Sequence, residues 1–209
     1  MHIMAKIGIM GGTFDPIHNG HLLLGRQAYD EYGLKEIWFM PSGIPPHKKD
    51  HEVTAVEDRL AMVRLAVRNF SYFVCSDFEI QRQGNTYTAE TLRLLHQKYP
   101  QHDFYFIIGA DSLYQLENWY HPREVMGQAV LLVADREYEQ AHCPIEEQIA
   151  VLKERYDADI RLLHCKEVDI ASAKLRERRA KGKSLASYVP EAVEEYINAH
   201  GLYQEEAKQ

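Results

Sequence analysis

The chain has 209 residues, 45% of them hydrophobic and 26% charged, which is enough to bury one substantial core in a single domain spanning residues 1–209. Its net charge of −7 excludes a general nucleic-acid binder, since affinity for polyanions rests on neutralising phosphates with Lys and Arg, but leaves small anionic ligands open. No apolar run approaches the roughly 20 residues of a membrane span and no basic stretch leads into a long apolar one at the start, so a cytoplasmic protein with no membrane partner is expected.

In chain order, Ile7–Met10 is a short apolar run ending at Gly11-Gly12, and from Leu22 apolar and small residues recur until Gly33 stops them. This is a strand, a glycine turn and a helix. Glu36–Met40 is a second strand ended by Pro41, and Ser42–Glu52, with Gly43, Pro45 and Pro46, is a loop. Glu57–Arg68 carries Leu60, Met62, Val63, Leu65, Ala66 and Val67, a helix buried on a broad face, and a strand follows at Tyr72–Ser76. Thr88–Tyr99 is a further helix, Phe104–Ile108 (FYFII) is the clearest strand, and Gly109-Ala110-Asp111 leads into another helix. Ala129–Ala134 and Ile160–His164 complete the strands. Lys174, Arg176, Arg178, Arg179, Lys181 and Lys183 form a basic run that reads either as a solvated helix face or as local charge for an anion. Pro190 stands where a first helical position would be, Gly201 follows Glu191–His200 as a cap, and Gln204–Gln209 is expected to fray.

Strands alternating with helices imply parallel βαβ units with right-handed crossovers. The expected fold is α/β, a Rossmann-like doubly wound, mainly parallel sheet with helices on both faces. Ligands of such sheets bind beyond the carboxyl ends of the strands. Gly11–His21 and Gly109–Asp111 both follow strands directly, so both are placed on that edge. Cys75, Cys143 and Cys165 are too few and too dispersed for a disulfide framework or paired zinc ligands, and read as reduced thiols.

The segment GGTFDPIHNGH (Gly11–His21) is too irregular to be core. Gly11 and Gly12 permit close backbone approach, Pro16 fixes a bend, and Asn19 can cap a helix whose first turn holds Gly20 and His21. A helix N-terminus with unsatisfied N–H groups is an anion site, to which His18 and His21, one turn apart, add donors. Taken singly, two such histidines are also surface or capping residues, or a pair able to share a metal, although no carboxylate or thiolate at suitable spacing completes a ligand set. Neither the Walker A pattern nor the dinucleotide glycine fingerprint is present.

The segment resembles the GxFxPxHxGH signature of the nucleotidyltransferase superfamily, which includes cytidylyltransferases, pantetheine-phosphate adenylyltransferase and the nicotinate or nicotinamide mononucleotide adenylyltransferases. Every specified position is present. The resemblance implies that Gly11, Gly12, Thr13, Phe14 and Gly20 belong to an ATP site, and that His18 and His21 contact triphosphate oxygens during attack on the α-phosphorus.

Three further segments resemble the bacterial nicotinate mononucleotide adenylyltransferases. Pro41–Lys48 is similar to a PxxxPPHK loop, which implies that His47 and Lys48 face the acceptor's phosphate. Read alone, it is a proline loop with a solvated end. Thr86-Tyr87-Thr88, with Thr91, is similar to SYTxxT, which implies hydrogen bonds to a nicotinate carboxylate from Tyr87 and Thr88; by itself Thr86 or Thr88 is a helix cap. Ile107–Asp111 followed by Trp119 is similar to IIGAD and a later Trp, implying that Gly109 and Asp111 border the acceptor, that Asp111 bonds a ribose hydroxyl, and that Trp119 stacks on the pyridine ring, where a cationic ring suits an aromatic face.

Val168–Arg176 aligns with the superfamily's ISSTxIR segment, keeping Ser172 and Arg176 for ATP, but Ala171 and Ala173 stand where hydroxyl residues are usual. Lost charge-assisted bonds of this kind cost on the order of 1.5–3 kcal/mol each. The expectation is transfer of AMP from ATP to nicotinate mononucleotide, with Mg²⁺ carried by ATP because no carboxylate cage is evident. Two rivals stay compatible with these residues: another acceptor, such as nicotinamide mononucleotide or phosphopantetheine, and a catalytically weak ATP-binding regulator.

Overall fold

The computed structural model of the chain describes residues 4–43, 53–82, 84, 86–135, 138, 140–164 and 170–204. His47 and Lys48, Cys165 and residues 205–209 lie outside the described residues. The elements run β1 (Ala5–Gly12), α1 (Asn19–Tyr32), β2 (Glu36–Pro41), α2 (Val56–Val67), β3 (Phe73–Cys75), α3 (Thr88–Lys98), β4 (His102–Ile108), α4 (Ala110–Gln115), a single 3-10 turn at Leu116–Asn118, α5 (Pro122–Gln128), β5 (Val130–Ala134), α6 (Ile145–Tyr156), β6 (Ile160–Leu163), α7 (Ser172–Ala180) and α8 (Glu191–Ala199).

The strands form one sheet in the order β3-β2-β1-β4-β5-β6, with all neighbouring strands parallel. This is the expected α/β doubly wound sheet. Its strand order reverses between β1 and β4, which pair from Ala5↔His102 to Ile9↔Phe106. Side chains alternate across the sheet. In β4, Phe104, Phe106 and Ile108 enter the core shared with α3, α4, α5 and α6, whereas Tyr105 and Ile107 enter the core shared with α1, α2, α7 and α8. Helices therefore cover both faces, and the strands are apolar on both sides as a buried parallel sheet requires.

Local chemistry sets the ends of several elements. Gly33 stops α1 in the left-handed region (φ 60°), as expected from a residue without a Cβ. At the end of α8 the N–H of Leu202 bonds Ile197 O and that of Gly201 bonds Asn198 O, with Gly201 at φ 63°, a Schellman closure. Two caps fall one residue from their expected places. His18, not Asn19, caps α1, and Pro190 is the cap of α8 rather than its first helical residue. Helices α5 and α6 lie outside the elements expected from the sequence: α5 has only 7 residues, whereas α6 carries Ile145, Ile149, Leu152 and Tyr156 at helical spacing. The basic run of Lys174–Lys183 falls on and just after α7, which buries only Leu175. Among the described residues no helix is long and apolar enough to cross a membrane.

Cys75 and Cys143 are free thiols. Burial pushes the Cys75 thiol up to about 11, so it is not a nucleophile at neutral pH.

Candidate active site

The crevice beyond the carboxyl ends of β1 and β4, where the strand order reverses, is where a doubly wound sheet binds its ligand. Gly11–His21 leaves β1 there and Gly109 leaves β4. Between β1 and α1 the backbone is unusual: Phe14 has φ 52° and the Asp15–Pro16 peptide is cis. Positive φ in a bulky residue persists only where its surroundings over-determine it.

Those surroundings form a continuous stack. The ring of Phe14 is buried, and a Cβ on Gly12 would lie 3.3 Å from it. The same ring meets His21 edge-on at 5.0 Å, and His21 stacks on His18 at 3.7 Å with an interplanar angle of 24°. A Cβ on Gly20 would approach the His18 ring to 3.1 Å, so the next element of the signature is also filled. The two histidines are joined through the backbone as well, the N–H of His18 donating to His21 Nδ1 at 3.2 Å. Gly12, Phe14, His18, Gly20 and His21 thus pack on one another, and the histidine pair is held at the N-terminus of α1. Phe14 supports this pair from within the core.

Helix α7 is fastened to the same turn. Ser172 Oγ donates to Pro16 O at 2.9 Å, and Arg176 Nη1 donates to Asp15 O at 2.7 Å. The two retained residues of the second segment are thereby brought to the first. Ala171 occupies the cap position of α7 in an extended conformation, with no side chain to bond the helix start. Arg178 instead faces Ser184 O at 2.7 Å and lies over the Tyr188 ring, so part of the basic run is structural.

A second set of residues near this turn was not singled out from the sequence. Asp15 is buried; its Oδ1 accepts from Tyr203 Oη at 2.7 Å and its Oδ2 from the N–H of Thr54 at 3.4 Å. Burial, with the Asp15 carboxylate beside it, pushes the Tyr203 phenol well above its usual range, so it remains a donor. Arg59, only 1% exposed, donates to Thr13 O at 2.7 Å, Thr54 O at 3.0 Å and Gly43 O at 3.1 Å. Burial lowers its pKa against the opposing pull of Asp15, and a guanidinium stays charged at neutral pH. The signal was present in α2: Arg59, Met62, Val63, Ala66 and Val67 are its buried positions, so a charge occupies the core-facing stripe.

On the acceptor side, Tyr87 caps α3 and Thr88 is its first residue, so neither Thr86 nor Thr88 is the cap. Tyr87 stacks on Tyr120 at 4.4 Å, next to Trp119, whose ring meets Phe106 of β4 edge-on at 6.4 Å. The aromatic residues of both segments are therefore neighbours across α3 and the 3-10 turn. Gly109 caps α4, and Asp111 is its second residue. Thr91 is buried and donates to Glu79 Oε1 at 2.7 Å while accepting from Arg82 Nη1 at 2.8 Å, so it supports the helix start from behind. Burial raises the Glu79 pKa against the bonds it accepts. Among the described residues no group of three His, Cys, Asp or Glu is arranged to hold a metal.

A fold of this topology with a histidine pair at the first helix start is that of the nucleotidyltransferases, and a family model described as cytidylyltransferase-like matches residues 9–178. The chain is 46% identical over 200 residues to a protein of Lachnoclostridium phytofermentans named "Probable nicotinate-nucleotide adenylyltransferase", covering 96% of this chain and 100% of the relative. A protein of the same name from Desulfitobacterium hafniense (strain DSM 10664 / DCB-2) is 41% identical, with 95% of each chain covered. The chain belongs to the cytidylyltransferase-like family and, within it, to the nicotinate-nucleotide adenylyltransferases. The fold is also that of Plasmodium falciparum nicotinic acid mononucleotide adenylyltransferase complexed with NaAD, at TM-score 0.79 and 20% identity, over 95% of this chain and 97% of that one.

Proposed function

We propose that the chain transfers AMP from ATP to nicotinate mononucleotide, forming nicotinate adenine dinucleotide and pyrophosphate in NAD biosynthesis. The observation that carries this reading is the fastening of Ser172 and Arg176 onto the carbonyls of Pro16 and Asp15, which joins both ATP segments at one helix start in the switch crevice. The names of the full-length relatives support the acceptor.

In this reading a 5′-phosphate oxygen of the mononucleotide attacks the α-phosphorus in line. The bond from that phosphorus to the bridging oxygen breaks, and pyrophosphate leaves with the electron pair. The acceptor phosphate is already a nucleophile, so no covalent enzyme intermediate is needed, and positioning with electrostatic stabilisation carries the rate. His18, His21 and Arg176 oppose charge on the triphosphate. Gly11, Gly12, Thr13 and Phe14 offer their backbone, and Gly20 and Ser172 sit at helix starts whose N–H groups favour anions. His47 and Lys48 take the acceptor phosphate, Tyr87, Thr88 and Gly109 the nicotinate end, Asp111 a ribose hydroxyl, and Trp119 the pyridine face. Mg²⁺ would be carried by ATP and would screen charge on its phosphates; the Asp15 carboxylate, engaged by Tyr203 and Thr54, is not spare to hold it.

The test is pyrophosphate release from ATP with a panel of acceptors. Release is expected with nicotinate mononucleotide and, for loss of a charge-assisted bond, about tenfold lower kcat/KM with the amide. Equal rates would defeat the carboxylate argument, and ATP binding without release under any acceptor would establish a regulator instead. His21→Ala should lower kcat by about 100-fold, on the scale of a lost transition-state donor, in a protein that still folds.

A further inference from the structure

One buried arginine reaches three separate stretches of chain. Arg59 Nη1 donates to Thr13 O, in the turn that carries the histidine pair. Its Nη2 donates to Gly43 O, in the segment leaving β2, and its Nε to Thr54 O, just before α2. Gly43 and Thr54 bracket the stretch that holds His47 and Lys48. One rigid fork on α2 therefore ties both ends of that stretch to the turn after β1. A guanidinium is suited to this, since its planar donors fix direction as well as distance. The tie is duplicated through Asp15, whose carboxylate accepts the Thr54 N–H from the other side.

Besides its main-chain acceptors, the guanidinium feels the charge of the buried Asp15 carboxylate. A charged group in the core stripe of α2 costs stability unless its donors are satisfied, and an apolar residue at that position would pack with Met62 and Val63 at no such cost. Among the described residues the hydrogen bonds it donates all go to main-chain carbonyls of three loops. The fit is also tight there: a Cβ on Gly43 would lie 3.1 Å from Glu79 O, so the segment leaving β2 is held close against the Glu79 turn.

We propose that Arg59 is a positioning residue for adenylyl transfer, setting the spacing of Gly43 and Thr54 from the turn that carries Thr13 and the histidine pair, without touching either substrate. This rests on the functional reading above. In-line transfer is sensitive to the separation of attacking oxygen and phosphorus, so an error in spacing appears in the chemical step and leaves each substrate's own contacts in place.

The experiment compares Arg59→Lys and Arg59→Gln with the parent and with Tyr196→Phe. Lysine keeps the charge but presents its donors from a single nitrogen, which cannot reach three separate carbonyls, and glutamine avoids a buried ammonium should the lysine variant fail to fold. Tyr196→Phe removes a 2.8 Å bond from α8 to Asp58, the neighbour of Arg59 on α2, and loosens the same helix without touching the three carbonyls. Each protein is assayed well below its own melting temperature for kcat, for KM of both substrates, and for binding of a non-hydrolysable ATP analogue. The expected result is a kcat at least tenfold lower in the Arg59 variants, ATP-analogue affinity within threefold of the parent, and parental kcat in Tyr196→Phe. A folded Arg59 variant with kcat within twofold of the parent overturns the proposal. So does a loss confined to one KM, or an equal kcat loss in Tyr196→Phe, since general loosening would then suffice. A parent active only with another acceptor defeats the acceptor reading alone, and the Arg59 comparison is then made on that acceptor. A parent that releases no pyrophosphate with any acceptor overturns both.

Discussion

Gly20→Ala isolates the geometry of the histidine pair from the chemistry of its rings. Gly20 lies in the first turn of α1, and an added Cβ would stand 3.1 Å from His18 Nδ1, 3.2 Å from His18 Cε1 and 3.8 Å from Ile170 Cβ. The first two are closer than ordinary contact, so the His18 ring must move by a few tenths of an ångström, and its 3.7 Å stacking on His21 transmits or resists that shift. Alanine in a helix gains about 0.5–1 kcal/mol over glycine, whereas forcing a methyl into a packed site costs about 1–3 kcal/mol. The net destabilisation is then on the order of 1 kcal/mol, or about 2–4 °C in Tm for a domain of this size. Catalysis is more sensitive: a misplacement of about 1 Å costs roughly 100-fold, so a smaller displacement is expected to lower kcat by about tenfold, or 1.4 kcal/mol. Pyrophosphate release at saturating ATP, with thermal unfolding measured on the same preparation, reads both quantities. A Gly20→Ala enzyme with parental kcat would show that the exact seating of His18 is irrelevant to turnover.

Trp119→Ala should raise KM for the mononucleotide by about tenfold, the scale of one lost stacking contact, and leave KM for ATP unchanged; a parallel rise in both would remove Trp119 from the acceptor site. Ala171→Ser places a hydroxyl at the extended cap of α7, where none bonds the helix start, and should stabilise the protein by about 1 kcal/mol, seen as a Tm rise of about 2–4 °C. A lower Tm would mean that the cap position is already satisfied by other groups. Glu79→Gln tests the buried carboxyl. Burial raises its folded pKa, so its contribution to stability is fully present below the unfolded value of about 4.3 and is lost as pH rises through the raised value. Glutamine does not titrate, so Tm of the variant relative to the parent should climb as pH rises from about 4, and a constant difference would refute the burial argument.

Much of the site was legible before any fold was known, and the reason is that its signals are local. Strand β4 announces itself by FYFII, and α1 by a stop at Gly33 whose αL geometry favours a residue lacking Cβ. The signature of Gly11–His21 is dense because its residues pack on one another: Gly12 on Phe14, Phe14 on His21, His21 on His18, His18 on Gly20. Contacts within one turn of chain leave their mark as fixed spacing. The caps at His18 and Pro190 fell a residue away from expectation because the boundary of a helix is set by backbone geometry, which residue preference predicts only to within a position or two.

What residue order determined by itself was the alternation of strands and helices, the sheet edge at which a ligand is expected, and a first helix start carrying two histidines. Tertiary structure decided the rest. It placed β4 beside β1 to create the crevice, and it turned Ser172 and Arg176 toward carbonyls that precede them by most of the chain. It also closed Tyr203 onto Asp15 and sank Arg59 among three loops. Periodicity identifies which face of α2 is buried, but whether a charge can reside on that face depends on acceptors supplied by distant segments, and their arrival is a property of the packed fold alone.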